Sequence, residues 1–195
     1  MKKALIIFVR NPVLGKVKTR LAKTMGEQNA LKVYQKLLLH TRAITEKIEC
    51  DKFIFYADEI NNNDDWPNNK YIKNQQITGT LGEKMAGAFE FVFSQGYNRT
   101  LIIGSDCYDL TASIIEEGFI AMEKYDVVLG PASDGGYYLL GKKLIHPSLF
   151  AIAEWSTNTV LCETIAACNK AGLSFTNLEV LNDVDEEKDI PPEWL

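Results

Sequence analysis

No stretch of this sequence stays apolar for the roughly 20 residues that a membrane-spanning helix needs. The opening apolar run, Ala4 to Val9, ends at Arg10-Asn11-Pro12 and is also too short for a secretory signal. A soluble, cytoplasmic protein without a membrane partner is expected. Cysteine is scarce. Cys50, Cys107, Cys162 and Cys168 show neither zinc-ligand nor CxxC spacing, so they read as buried or incidental thiols in a reducing compartment. Histidine is scarcer, with His40 inside a helical stretch and His146 before Pro147, and no Ser-His-Asp or Cys-His set can be assembled from them. Positive charge is in deficit, 21 Lys and Arg against 26 Asp and Glu, for a net −5. That excludes a surface wholly given to nucleic acid or anionic lipid, though it leaves room for a local basic patch. The glycine fingerprints GxGxxG and GxSxG are both missing, which removes a dinucleotide-binding turn and a hydrolase nucleophile elbow at Ser105.

What is present fits one α/β domain over residues 1–195, long enough to fold without a metal or disulfide. Ala4–Val9, Phe53–Ala57, Thr100–Gly104 and Asp126–Gly130 are short, continuous apolar runs, the pattern of strands buried on both faces. Tyr137–Gly141 reads as a further strand. Helical spacing joins Ala30, Tyr34, Leu37, Leu38, Ile44 and Ile48, then Leu81, Met85, Ala88, Phe89, Val92 and Phe93, then Ile114, Ile115, Phe119 and Met122. A further helix is expected over Thr157–Ala171. Strands alternating with helices predict a three-layer fold around a mainly parallel sheet. Residues 61–69, rich in Asn and Asp, read as a polar surface loop.

Charge is segregated along the chain. Lys2, Lys3, Arg10, Lys16, Lys18, Arg20 and Lys23 all precede the first acid, Glu27, whereas residues 179–193 hold seven acids against Lys188 alone. In open α/β sheets ligands sit beyond the carboxyl ends of the strands, so the loops after strands are the places to look. The first contains Lys16, Lys18 and Arg20 at alternate positions. Val17 stands where a Walker loop needs Ser or Thr, but a dense cationic loop still suits the phosphates of a nucleotide. The second, Gly104-Ser105-Asp106-Cys107, brings Asp106 to the sheet edge, where a carboxylate can hold a divalent metal. Asp109 reads as a cap for the helix that follows. The third, Ser133-Asp134-Gly135-Gly136, offers backbone amides to a ligand or forms a plain hairpin turn. The fourth, Asp183-Val184-Asp185, places alternate carboxylates that can share a metal or forms a solvated acidic tail. It is no EF-hand, because Lys188 stands where that loop needs glycine.

Taken in order, Lys16-Val17-Lys18-Thr19-Arg20-Leu21, Gly104-Ser105-Asp106-Cys107, Gly130 to Tyr138, Trp155-Ser156-Thr157 and Asp183-Val184-Asp185 resemble the bacterial family of GT-A-type glycosyltransferases. The resemblance spans nearly the whole chain. It implies the nucleotide-diphospho-sugar transferase (GT-A-like) fold, shared with molybdenum-cofactor and phospholactate guanylyltransferases. It also implies a divalent-metal-dependent transferase, with Mg2+ or Mn2+ as cofactor and a nucleotide and a small-molecule acceptor as partners. Nucleotidyl transfer from a nucleoside triphosphate to a small phosphorylated acceptor is the first expectation, glycosyl transfer from a nucleotide-sugar the second, and a non-catalytic binding module the rival from another class. Carried over by position, Lys16, Lys18 and Arg20 would hold nucleotide phosphates, Asp106 and Asp185 the metal, and Ser133, Gly135 and Gly136 the acceptor pocket. Asp106, Lys18 and Asp134 would be the catalytic set. Two segments depart from the family pattern. Tyr108 replaces the usual proline after Ser-Asp-Cys, which predicts a less rigid loop. Gly79-Thr80-Leu81-Gly82-Glu83-Lys84 replaces Gly-Asp-Leu-Gly-x-Arg, losing an acid and exchanging Arg for Lys.

Overall fold

A strand buried on both faces has nowhere to put a polar side chain, and β1 (Lys3–Val9) obeys this with Leu5, Ile7 and Val9 packed on one side and Ala4 and Ile6 on the other. The computed structural model describes residues 2–152, 154–155 and 157–194. Around β1 are α1 (Thr19–Met25), α2 (Glu27–Thr45), β2 (Asp51–Tyr56), β3 (Tyr71–Gln75), α3 (Leu81–Ser94) and β4 (Arg99–Ile103). Then come α4 (Ala112–Ala121), β5 (Val127–Pro131), β6 (Tyr137–Lys142), α5 (Val160–Lys170) and β7 (Phe175–Asn177). Among the described residues the seven strands form one sheet in the order β3-β2-β1-β4-β6-β5-β7, with β6 antiparallel to both neighbours and every other pairing parallel.

Alternation along the strands divides the core into two layers. Leu5, Ile7, Ile54, Leu101, Ile103 and Val128 meet Ile44 of α2 and Ile114, Ile115 and Phe119 of α4. Ala4, Ile6, Phe53, Phe55, Ile102 and Leu140 meet Met85, Phe89 and Val92 of α3 and Cys168 of α5. A third, smaller cluster joins Leu21 of α1 and Ala30, Val33 and Leu37 of α2 to Val184 and Ile190, so the acidic C-terminal segment is tied to the cationic N-terminal one. None of the described helices is long and apolar enough to cross a membrane.

Three local readings change. The helix cap at α4 is Thr111, whose hydroxyl accepts from the Ile114 amide at 3.3 Å, and not Asp109. The 61–69 loop is anchored: Trp66 is buried edge-on to Tyr71, and Asp64 accepts from Lys73 at 2.7 Å and from the Tyr56 hydroxyl. Thr80 is the N-cap of α3 in a reciprocal capping box with Glu83, so the departure from Asp keeps the helix start. At the far end of β6, Lys142 is completely buried. Its ammonium lies 4.3 Å from the Phe150 ring centroid and 5.3 Å from that of Phe89, without a hydrogen-bond partner among the described residues. Burial pushes its pKa down to about 8.

Candidate functional site

The sheet ends in a cleft of about 620 Å³ at its carboxyl edge. Val9 closes β1, Ile103 closes β4, and the turn after β4 contributes Ser105 and Asp106. The reversed strand β6 adds Tyr137 and Tyr138 from its first turn of chain, and Asp183 and Asp185 arrive from the C-terminal segment.

The cationic segment is only partly a loop. Val17 is buried and anchors it, Lys18 is the N-cap of α1, and Arg20 lies in the first turn of that helix. Lys16, Lys18 and Arg20 all line the cleft. The Lys18 ammonium lies 2.9 Å from Asp106 Oδ1 and donates to Asp185 Oδ1 at 3.1 Å, while Arg20 Nη1 donates to Asp185 Oδ2 at 3.2 Å. The Val184 amide donates to the Asp106 carbonyl at 2.9 Å, which registers the two acidic segments against each other. Asp189 steadies Asp185 by accepting from the backbone amides of Asp185 and Glu186. The cationic start and the acidic end of the chain therefore build one site.

Its electrostatics follow from burial among like charges. Asp183 is pushed up to about 7, first by burial and then by the Asp106 charge, with Lys18 opposing. For Lys18, burial favours the neutral amine, but Asp106 and Asp185 outweigh it and hold the ammonium above the ordinary lysine value. Tyr34 is pushed up to about 12 by burial and by Asp106. Its hydroxyl lies 3.4 Å from Ser105 Oγ and bonds the Arg10 backbone, fixing the start of the cationic segment.

The third loop borders the cleft, with the Asp134 charge among those raising the Asp183 pKa. Ser133, Asp134, Gly135 and Gly136 do not line the cleft. They form the β5–β6 hairpin turn, with the Ser133 amide and hydroxyl both donating to the Leu181 carbonyl and Asp134 Oδ1 accepting from the Gly136 amide. Gly135 has φ 89°, and a Cβ there would fall 2.2 Å from the Asn158 carbonyl oxygen, so this glycine permits close packing on the segment before α5. Of the Trp155-Ser156-Thr157 motif, Trp155 packs against Gly82 of α3, and Ser156 lies outside the described residues. Tyr108 does not loosen its loop: its ring meets His40 at 4.8 Å and Trp194 at 4.6 Å, and its hydroxyl donates to Glu193 at 2.9 Å.

Asp183, named with Asp185 from the sequence, and Lys84, noted as a departure from Arg, both line this cleft, whereas Tyr34, Gln76, Leu81 and Met85, which also line it, carried no sequence signal for a site. Leu81, Met85 and Phe8 add apolar surface to the lining of the cleft.

The donor chemistry suits a hard divalent cation. Among the described residues no three His, Cys, Asp or Glu side chains form a ready-made cage, but Asp106 and Asp185 already share one cation, the Lys18 ammonium. Magnesium is commonly held by one or two carboxylates, the substrate phosphates and water completing its shell, so this pair fits.

The seven-stranded, mainly parallel sheet with its reversed β6 is the nucleotide-diphospho-sugar transferase fold. Residues 40–157 match the model of a family described as "Uncharacterized protein conserved in bacteria (DUF2064)", and the chain belongs to that family. A search of curated proteins finds no match. Among solved structures, a candidate nucleotide-diphospho-sugar transferase from Desulfovibrio desulfuricans G20 is 29% identical with a TM-score of 0.86, covering 95% of this chain and 84% of that one. The inositol-1-phosphate CTP transferase of T. maritima shares the fold at 11% identity and a TM-score of 0.56, over 99% and 93% of the two chains. So does the 4-diphosphocytidyl-2C-methyl-D-erythritol synthase of Anaerococcus prevotii DSM 20548, at 9% identity and a TM-score of 0.59, over 97% and 92%.

Proposed function

We propose that this protein is a divalent-metal-dependent nucleotidyltransferase acting on a small phosphorylated acceptor. The observation that carries the reading is the pairing of Asp106 and Asp185 around one cation, beside Lys16 and Arg20, at the carboxyl edge of the sheet. A bound Mg2+ or Mn2+, held by Asp106 and Asp185, would neutralise phosphate oxygens as charge develops on the leaving group. Lys16, Lys18 and Arg20 supply the rest of that neutralisation from one turn of chain. The apolar surface of Phe8, Leu81 and Met85 receives the less polar part of a ligand, and Lys84 adds a further cation to the lining. In the reaction an acceptor phosphate oxygen bonds to the α-phosphorus, the bond from that phosphorus to the bridging oxygen breaks, and pyrophosphate leaves. The protein contributes alignment and fixed charge.

A second reading, glycosyl transfer from a nucleotide-sugar, is favoured by the description of the 29% identical relative. The same cations then hold a departing nucleoside diphosphate. Its expected base, Asp134, has one oxygen committed to the Gly136 amide and lies outside the cleft lining. Product analysis separates the two readings: pyrophosphate marks nucleotidyl transfer, nucleoside diphosphate marks glycosyl transfer. Asp106→Ala should abolish turnover with Mg2+ or Mn2+ while leaving a folded protein. Unchanged turnover would sink both readings, and nucleotide binding without turnover on any acceptor would favour a binding module.

A further inference from the structure

Among the described residues Lys18 is the one non-glycine residue with a left-handed backbone, φ 46° and ψ 48°. A residue with a Cβ is strained there, and such strain persists only where its surroundings impose it. Here it turns the Lys18 side chain inward. Only 5% of that side chain is exposed, and its ammonium sits between two carboxylates that come from opposite ends of the chain. Arg20, the other cation on Asp185, is 66% exposed and held by one oxygen, so the buried charge that joins Asp106 to Asp185 is Lys18 alone among the described residues.

We propose that Lys18 is a resident cation: its ammonium occupies the space between Asp106 and Asp185 until a divalent metal arrives together with phosphate, and then transfers to the phosphate oxygens. The proposal rests on the transferase reading of the cleft. Without some cation, Asp106 and Asp185 would repel each other across a partly buried gap that also faces Asp183. With the ammonium in place, a free dication meets a site whose charge is already partly cancelled, and it must displace a cation to enter. Phosphate oxygens remove this obstacle, because they give the ammonium an equivalent partner within reach of its flexible four-carbon stem. Metal and nucleotide are then coupled: each binds better when the other is present, and by the same factor in both directions. The device keeps the site from being committed to free metal alone.

The test is titration with Mn2+ alone, following the six-line paramagnetic resonance of the free ion, which is lost on binding. Native protein should bind Mn2+ weakly, and Lys18→Met should bind it at least about tenfold more tightly, because one adjacent positive charge is gone. Lys18→Arg should stay as weak as native, and Asp106→Asn added to Lys18→Met should erase the gain. If Lys18→Met does not fold, Lys18→Gln makes the same comparison. Equal or weaker Mn2+ binding by the neutral variants overturns the proposal. Failure of the transferase reading looks different: native protein would then gain no thermal stability from any of a panel of nucleoside triphosphates or nucleotide-sugars with Mn2+, whatever the Lys18 variants do with the metal alone.

Discussion

Lys18 donates to Asp185 at 3.1 Å across a separation of 167 residues. This contact turns an uneven distribution of charge along the sequence into a local site with both signs. Arg20, two residues on, takes the second oxygen of the same carboxylate. Lys16 is left as the cation of this trio that the structure commits to no carboxylate among the described residues.

Arg20→Ala should therefore weaken nucleotide binding far more than it weakens the fold. One charge-assisted hydrogen bond to phosphate corresponds to about tenfold in affinity, while an exposed ion pair contributes at most about 1 kcal/mol to stability. Calorimetric titration at low and at high salt checks this. A variant that binds normally but melts several degrees lower would assign Arg20 a structural role instead.

The Tyr108–Trp194 contact holds the segment that carries Asp183 and Asp185. Lys36 adds to it, its ammonium lying 5.4 Å from the Trp194 ring centroid. Trp194→Ala should cost about 1–2 kcal/mol. Amide exchange should show the loss as faster opening of residues 183–190, with the sheet strands unchanged. Uniform acceleration across the protein would contradict this.

The capping box at α3 predicts that Thr80→Ala costs about 1 kcal/mol and lowers Tm by roughly 2–4 °C, whereas Thr80→Asp stays near native because aspartate is an equally good cap. Thermal unfolding of the two variants side by side decides it. Equal losses from both would mean that the cap is not what Thr80 provides.

Lys142 makes a prediction about pH. Its pKa falls from 10.5 in the unfolded chain to about 8 when folded, so the folded protein disfavours the charged form. The resulting penalty is fully present below pH 8, shrinks as pH rises from 8 to 10.5, and is gone above that range. A shift of this size corresponds to about 3 kcal/mol at most, part of which the Phe89 and Phe150 rings offset. Lys142→Met should accordingly stabilise the protein at pH 7 by about 1–3 kcal/mol, and its advantage over native should vanish by pH 10.5. Denaturant unfolding at both pH values tests the sign. A variant less stable than native at pH 7 would show that the buried ammonium contributes stability.

How much of this was legible in the sequence depends on how each element is buried. β1, β2, β4 and β5 are enclosed by helices on both faces, and their short apolar runs announced them. β3 and β7 lie at the two sheet edges. Tyr-Ile-Lys-Asn-Gln buries only Tyr71 fully, and Phe-Thr-Asn is three residues long, so neither contains a period to read. α1 was hidden by its charge and by a left-handed lysine at its start, which no capping preference anticipates. The capping box of α3 was readable as Thr-x-x-Glu. In the cleft, Lys16, Lys18, Arg20, Asp106 and Asp185 stood out because cations and strand-end carboxylates are conspicuous. Spacing alone could not tell that Asp183 also turns toward Asp106, and Tyr34 reads as one more apolar position on a helix.

The reversed direction of β6 also bears on the order of assembly. Its pairing with β5 closes through a turn of a few residues, whereas Ala4 must find Thr100, and Ile7 must find Ile103, with three helices and two strands in between. Local closure costs the chain less entropy and comes sooner. Pulse-labelled amide exchange should protect the β5–β6 amides before those linking β1 to β4, and the opposite order would refute this. Tyr137 and Tyr138 start that hairpin's second strand, so a wall of the cleft would stand before either its cations or its carboxylates had anywhere to converge.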